Sequence, residues 1–345
     1  MKRWQFGLLG AVISILAIFF IFRQMDITAL GKALAEARYI YVLPTVVLLV
    51  LGLVTRACRW QVLLSGGLPL WRAFSIVNVA NLVNGVLPLR MGEVARAYLA
   101  TRADPPVPVF KSASTIVVER LLDLMAVMVL LGLALAAGPL PDEFRAAAAF
   151  FVPALIVGFL VLVLLSGQRD LVHRLLASVL NRLPLTLPEQ KVTAWLDHFL
   201  DGLAPLTKPR ALGLALFWTA VSWGFSTAAG YIVMLAFYEQ ASWAASCLFI
   251  AAASLAIAIP AVPGSIGPYE LSIIVALGAV GYGEPHNTAT AFALVVHGLN
   301  LALYAVTGLL GFIQEGISLG QLSQGVQEMR QGRVVTKDVV ATEPE

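Results

Sequence analysis

The chain has 345 residues, 59% of them hydrophobic and only 12% charged, with a formal net charge of +3 at pH 7. Soluble proteins carry about 25% charged residues, so this chain lacks the polar side chains to cover a water-facing surface. The small net charge argues against a nucleic-acid partner and makes the placement of charges more informative than their sum.

The N-terminus reads Met1-Lys2-Arg3-Trp4 and then runs apolar from Phe6 to Phe22. No small-residue cleavage pattern follows, so the run is expected to be a first transmembrane helix and not a removable signal. Five further segments are long and apolar enough to cross about 30 Å of hydrocarbon: 39–57, 113–137, 145–166, 211–237 and 289–313. Between the first two spans, Asp26 to Arg38 is a short amphipathic stretch expected at the interface. Residues 168–208 read as an amphipathic cytoplasmic connector. Leu171, Leu175, Leu176 and Val179 fall at helical spacing, Pro184 and Pro188 interrupt, and Val192, Trp195, Leu196 and Phe199 form a second set. The domain reading is one transmembrane unit over 1–317, followed by a tail, 318–345, rich in Gln, Gly, Thr and Glu and expected to be disordered. Cys58 and Cys247 lie in separate apolar stretches and read as small core residues.

Two other apolar segments are broken. In Arg72 to Thr101, Asn78, Asn81 and Asn84 precede Gly85, Pro88 and Gly92, and the arm from Glu93 to Thr101 is too short to span. In Trp243 to Gly283, the interruption is Pro260, Pro263, Gly264, Gly267 and Pro268, and the first arm reads as long enough to span alone. Proline removes a backbone donor, so a break at membrane depth survives only inside protein or beside a wet cavity. Both segments are expected to be re-entrant helical hairpins.

With the N-terminus in the cytoplasm and only six spans crossing, most of the 23 basic residues fall on the cytoplasmic side; Arg23, Lys32, Arg38 and Arg145 fall outside. That bias follows the positive-inside rule and places both termini in the cytoplasm. The layout also holds two triplets of opposite orientation, each a span, a hairpin and a span. Their breaks share a Pro-x-x-x-Gly spacing, Pro88 to Gly92 and Pro263 to Gly267, with Glu93 and Glu270 soon after. The fold class is therefore an all-α polytopic membrane protein with about six full transmembrane helices and two re-entrant hairpins in an inverted repeat. Such repeats point to a transport site near the midplane.

A short helix starts after each break, and helix starts favour anions such as a lipid phosphate. Arg90 and Arg96 would add full charge there, unless they only anchor the hairpin to headgroups or Arg96 pairs with Glu93. Glu119, Arg120 and Asp123 open the third span; Glu119 and Asp123 share a face, and Arg120 is within reach of Asp123. Charges inside a membrane normally face a cavity or a partner. Glu270 has no basic neighbour in sequence; Arg90 or Arg120 across the repeat interface, or a coupling proton, would serve it. The asparagines either line a polar path or bond between helices, and His297 reads as a packing partner before a proton relay. The candidate substrate-binding set is Asn84, Arg90, Glu93, Arg96, Glu119, Arg120, Asp123, Tyr269 and Glu270, with Pro88, Gly92, Pro263, Gly264 and Gly267 shaping the breaks. No phosphate loop, zinc-spaced Cys/His cluster or hydrolase elbow occurs, so no cofactor, metal or catalytic residue is expected.

The run Asn84-Gly85-Val86-Leu87-Pro88-Leu89-Arg90-Met91-Gly92-Glu93, with Arg96 and Leu99, resembles the flippase-like transmembrane domain of lysylphosphatidylglycerol synthetases. Val117-Val118-Glu119-Arg120-Leu121-Leu122-Asp123, Pro263 to Glu270, and Arg56-x-x-Arg59-Trp60 extend the resemblance to about residue 315. It implies movement of polar-headed lipids between leaflets. No aminoacyltransferase domain follows, so lysyl transfer is not expected, and Val296-His297-Gly298 stands where relatives often carry a Tyr-Arg pair.

The expectation is a flippase of the bacterial inner membrane for a phosphate-containing lipid or lipid-linked intermediate, with its cavity between the hairpins. The alternatives are an integral-membrane enzyme, or an accessory protein, of phospholipid, isoprenoid-lipid or hopanoid synthesis. The expected partners are the lipid and such biosynthetic enzymes, with homo-oligomerisation left open.

Overall fold

The computed structural model describes residues 3–23, 25–87, 91–137, 153, 156–158, 160–161, 164, 167–180, 189–257 and 262–330. Among these there is helix and no strand. The helices are α1 (Arg3–Phe22), α2 (Ile27–Glu36), α3 (Val42–Leu63), α4 (Leu70–Val86), α5 (Met91–Thr101), α6 (Val109–Ala137), α7 (Arg169–Leu180), α8 (Glu189–Leu203), α9 (Pro209–Phe237), α10 (Trp243–Ala256), α11 (Pro268–Ala279), α12 (His286–Glu315) and α13 (Leu319–Arg330).

Local chemistry explains several boundaries. Asp26 caps α2 by accepting from the Thr28 and Ala29 N–H groups at 2.8 and 3.3 Å. Pro209 opens α9, where its missing N–H costs no helix bond. Gly316 ends α12 at φ +61°, a left-handed conformation that glycine adopts without a Cβ clash.

Among the described residues, three helical segments are long and apolar enough to cross a membrane: Tyr39–Leu63, which joins α3 to its preceding turn, Pro209–Phe237 and His286–Glu315. Helix α1 has 20 residues, about 30 Å at 1.5 Å per residue. Helix α6 is as long as α9, at 29 residues, but carries Lys111, Glu119, Arg120 and Asp123. The span expected at 145–166 lies mostly outside the described residues. Large apolar side chains face outward, among them Leu43 at 70% and Ile313 at 76% exposure. In water such a surface would be costly, and in hydrocarbon it is the solvent-matched one.

Helices α3 and α9 pack antiparallel along much of their length. The Arg38 guanidinium donates to the Tyr238 carbonyl at one end, and Arg59 reaches Thr219 at the other. Helix α12 lies as closely on α4, where Gly308 and Gly311 face Leu82, Asn78 and Ser75. The absence of a Cβ at both positions lets the two backbones approach.

Each broken segment folds back on itself. In the first, Asn84 Oδ1 accepts the Gly92 N–H at 2.8 Å, and Arg72 donates to the Arg102 carbonyl at 2.9 Å, so α4 and α5 run antiparallel. In the second, the Tyr238 hydroxyl, before α10, donates to the Tyr282 carbonyl, after α11, at 3.1 Å. Helix α10 has 14 residues, about 21 Å of rise. Its arm is therefore shorter than a span, contrary to expectation, because the chain turns at Ile257 before the prolines are reached. The tips of the two hairpins meet: α4 contacts the turn at Pro263–Ser265. A Cβ built on Gly85 or on Gly264 would find the same atom, Leu301 Cδ2 of α12, at 4.0 and 3.7 Å. The packing between the triplets is reciprocal, with α6 on α10 and α12 on α4.

Two segments take on structure that composition alone did not show. The connector's second helix is built into the protein, because α8 packs on α6, Trp195 stacks on Phe110 at 5.3 Å, and Leu200 and Leu203 join Leu63, Val118 and Leu122 in one cluster. The tail expected to be disordered from Ser318 is helical to Arg330, since Leu322 and Val326 recur at helical spacing and bury against the α4–α5 hairpin. Residues 331–345 lie outside the described residues.

Candidate functional site

An arginine in an apolar helix must find a counter-charge, because an ion buried alone costs several kcal/mol. Arg59 of α3 is 3% exposed and finds two counter-charges. Its Nη1 and Nη2 donate to Asp123 Oδ1 and Oδ2 at 2.7 and 3.2 Å, and its Nε reaches Glu119 Oε1 at 3.4 Å. Glu119 and Asp123 share this face of α6 because they stand four residues apart. The other Glu119 oxygen accepts from Arg96 Nη1 at 2.5 Å, and the Arg96 guanidinium lies over the Trp60 ring at 3.9 Å. Trp60 is held in turn by donation from its indole N–H to Thr115 at 3.1 Å. Arg96, Glu119, Arg59 and Asp123 thus form an alternating chain that ties α5, α6 and α3 together. Trp223 of α9 donates to Asp123 Oδ1 at 3.1 Å and closes the network. At its edge, Arg120 pairs with Glu93 at 2.7 Å, a more exposed contact.

The second polar cluster centres on Glu270 of α11. Oε1 lies 2.6 Å from His297 Nδ1, and Oε2 accepts the Gly267 N–H at 2.8 Å. Gly264 and Gly267 have φ of +75° and +97°, which explains why glycines stand at this break. The Tyr269 ring stacks on His297, with centroids 4.2 Å apart.

Beside these clusters is a cavity of about 350 Å³, walled by α3, α6, α9, α10, α11 and α12. Arg56, Arg120, Asp123 and Trp223 lie at one end; Leu49, Val127, Phe249 and Leu299 are among the apolar residues that line the rest.

Of the sequence-predicted residues, Arg120, Asp123 and Tyr269 line this cavity. Glu93, Arg96, Glu119 and Glu270 sit in the ion pairs behind it. Asn84 bonds within its own hairpin. Asn78 accepts from Thr307 of α12 at 3.0 Å, which is the helix-to-helix role and not a polar path. Pro88 and Arg90 lie outside the described residues. The expected pairings are replaced. Glu93 takes Arg120 in place of Arg96, Asp123 takes Arg59 in place of Arg120, and Glu270 takes His297, where Arg90, Arg120 or a coupling proton was expected. Among the described residues, the cavity expected between the two hairpins takes lining from the second and none from the first, which borders it through the Glu93–Arg120 pair. Arg56, Arg59 and Trp223 were not identified as site residues. Their signal was present, since arginines among the apolar residues of α3 require carboxylates and Glu119 and Asp123 were the close pair on offer.

Fold and site together define a polytopic helical membrane protein with a charged network buried beside an internal cavity. The family described as the lysylphosphatidylglycerol synthase TM region matches residues 7–308, and the chain belongs to it. No curated protein and no solved structure matches significantly.

Proposed function

We propose that the chain is a transporter and not an enzyme, and that it carries a phosphate-bearing lipid or lipid-linked intermediate between the leaflets of a bacterial inner membrane. The observation that carries this reading is the cavity, which is apolar over most of its wall and bears arginine side chains at one end. An amphiphile has the same division. Its chains would lie against the apolar wall, and its phosphate would meet guanidinium groups whose planar fork matches it.

The two fold-back hairpins, whose second arms have 11 and 12 residues and are too short to span, support the re-entrant reading. The reciprocal packing of α6 on α10 and α12 on α4 is what a two-fold relation between the triplets would produce, and it supports the inverted repeat. Arg120 and Glu93 form a partly exposed charge pair at the cavity end. The Arg96–Glu119–Arg59–Asp123 chain fixes the first hairpin relative to that end, and Glu270 with Tyr269 does the same for the second. The bias of basic residues supports cytoplasmic termini.

The test is lipid movement by the full chain in phosphatidylcholine vesicles containing fluorescent phosphatidylglycerol in both leaflets. Addition of a membrane-impermeant quencher should bleach the inner-leaflet probe quickly with the wild type and slowly with Glu270→Ala or Arg90→Ala. Rates equal to those of protein-free vesicles, or unchanged in both variants, would overturn the proposal.

A further inference from the structure

We propose that Arg56 is the anion-recognising residue of the cavity and that the site takes lipids with a net anionic headgroup, discriminating against cationic ones. This rests on the lipid-carrying reading and adds the charge of the cargo.

Four arginines gather where α3, α5 and α6 converge. Arg59, Arg96 and Arg120 each have a carboxylate partner within 3.4 Å. Arg56 has none among the described residues. Among the described residues its one hydrogen bond is from Nε to the neutral Ser222 hydroxyl at 3.4 Å, a long contact, and its side chain lines the cavity. An unbalanced cation facing an apolar enclosure is costly, and an arriving anion removes that cost.

The carboxylate at the same end is largely committed to Arg59 and Trp223, which fill three of its roughly four acceptor sites. Asp123 Oδ1 already accepts from Arg59 and Trp223, and Oδ2 accepts from Arg59. The remaining polar lining is neutral: Thr45, Ser226, Ser254, Tyr269, Asn300 and Tyr304. Such groups can solvate phosphate oxygens or glycerol hydroxyls but offer no counter-charge to an ammonium. The charge that a cargo meets is therefore positive.

The test is binding, measured apart from transport. Full-chain protein in phosphatidylcholine nanodiscs is titrated with phosphatidylglycerol, or with ethyl-phosphatidylcholine, a cationic phosphotriester. Bound lipid is counted by native mass spectrometry and the unfolding temperature is followed. Phosphatidylglycerol should bind and stabilise, and ethyl-phosphatidylcholine should do neither. Arg56→Gln should bind phosphatidylglycerol about tenfold or more weakly, the scale of one lost charge-assisted hydrogen bond. Arg56→Lys should retain part of the affinity, and Arg210→Gln, at an exposed position, should retain all of it. Equal binding by Arg56→Gln and wild type, or equal stabilisation by the two lipids, would overturn the proposal. If Arg56→Gln does not fold, the wild-type comparison of the two lipids decides. Selective binding without movement in the vesicle assay would remove the transport reading and leave this site standing; movement with no charge preference would do the reverse.

Discussion

Glu270 holds two partners at once, His297 through one carboxylate oxygen and the Gly267 backbone N–H through the other. The first contact fastens α11 to α12, and the second pins the turn from which α11 starts. One side chain thus sets both the position of the second hairpin and the shape of its tip. Glu270→Gln can still accept the Gly267 N–H and meet His297 without the charge. It should fold, with an unfolding temperature a few degrees below wild type. Glu270→Ala loses both contacts and leaves a buried imidazole without its partner, so it should be less stable by about 1–3 kcal/mol. Thermal unfolding in detergent, followed by size-exclusion fluorescence, separates the two; equal stability of the Gln and Ala variants would contradict this account.

Arg59 is the centre of the buried network, and its loss would strand two carboxylates. Arg59→Leu should destabilise the protein by roughly 3–5 kcal/mol, the scale for breaking a buried pair on one side. The double variant Arg59→Leu/Asp123→Leu should recover part of that loss, because the stranded charge goes too. A double-mutant cycle in unfolding free energy checks the coupling, and strict additivity would count against it.

Gly92 sits where α5 crosses α4, and a Cβ there would collide with the Ala80 carbonyl oxygen and come within 2.7 Å of the Asn84 side chain. Gly92→Ala should therefore part the first hairpin and break the Asn84–Gly92 hydrogen bond, costing about 1–3 kcal/mol as overpacking does. Gly132→Ala, with open space at its Cβ position, should be tolerated. Comparable loss of folded yield in both would show that the close crossing is not the cause.

Helix α13 contributes Leu322 and Val326, both nearly fully buried, to the cluster beneath the first hairpin. Leu322→Asp should expose or tear away this helix and make the chain between Gly316 and Arg330 accessible to limited proteolysis. Unaltered cleavage would restore the reading of this segment as an unstructured tail.

Much of the layout was readable from composition, because apolar length and the positions of proline and glycine are local properties. The second arms begin where the Pro-x-x-x-Gly runs end, α5 at Met91 and α11 at Pro268, and Glu119 and Asp123 do share a working face. The pairings were not readable. Glu93 and Arg96 stand three residues apart, and a helix would let them meet, yet Arg96 turns to Glu119 and the Trp60 ring, contacts that exist only once α5 is docked on α3 and α6. His297 was undervalued for the same reason: its partner is 27 residues away in sequence and on another helix. The final helix was missed because its burial comes from two apolar residues in a polar stretch, too few to register in composition.

Leu301 of α12 stands beside both hairpin tips. A Cβ added at Gly85 or at Gly264 would reach the same Leu301 methyl group, so a shift of α12 changes the space beside both tips. A bulky side chain at either tip would therefore press on α12 and on the other hairpin together, which makes this junction the place where the two halves share one space.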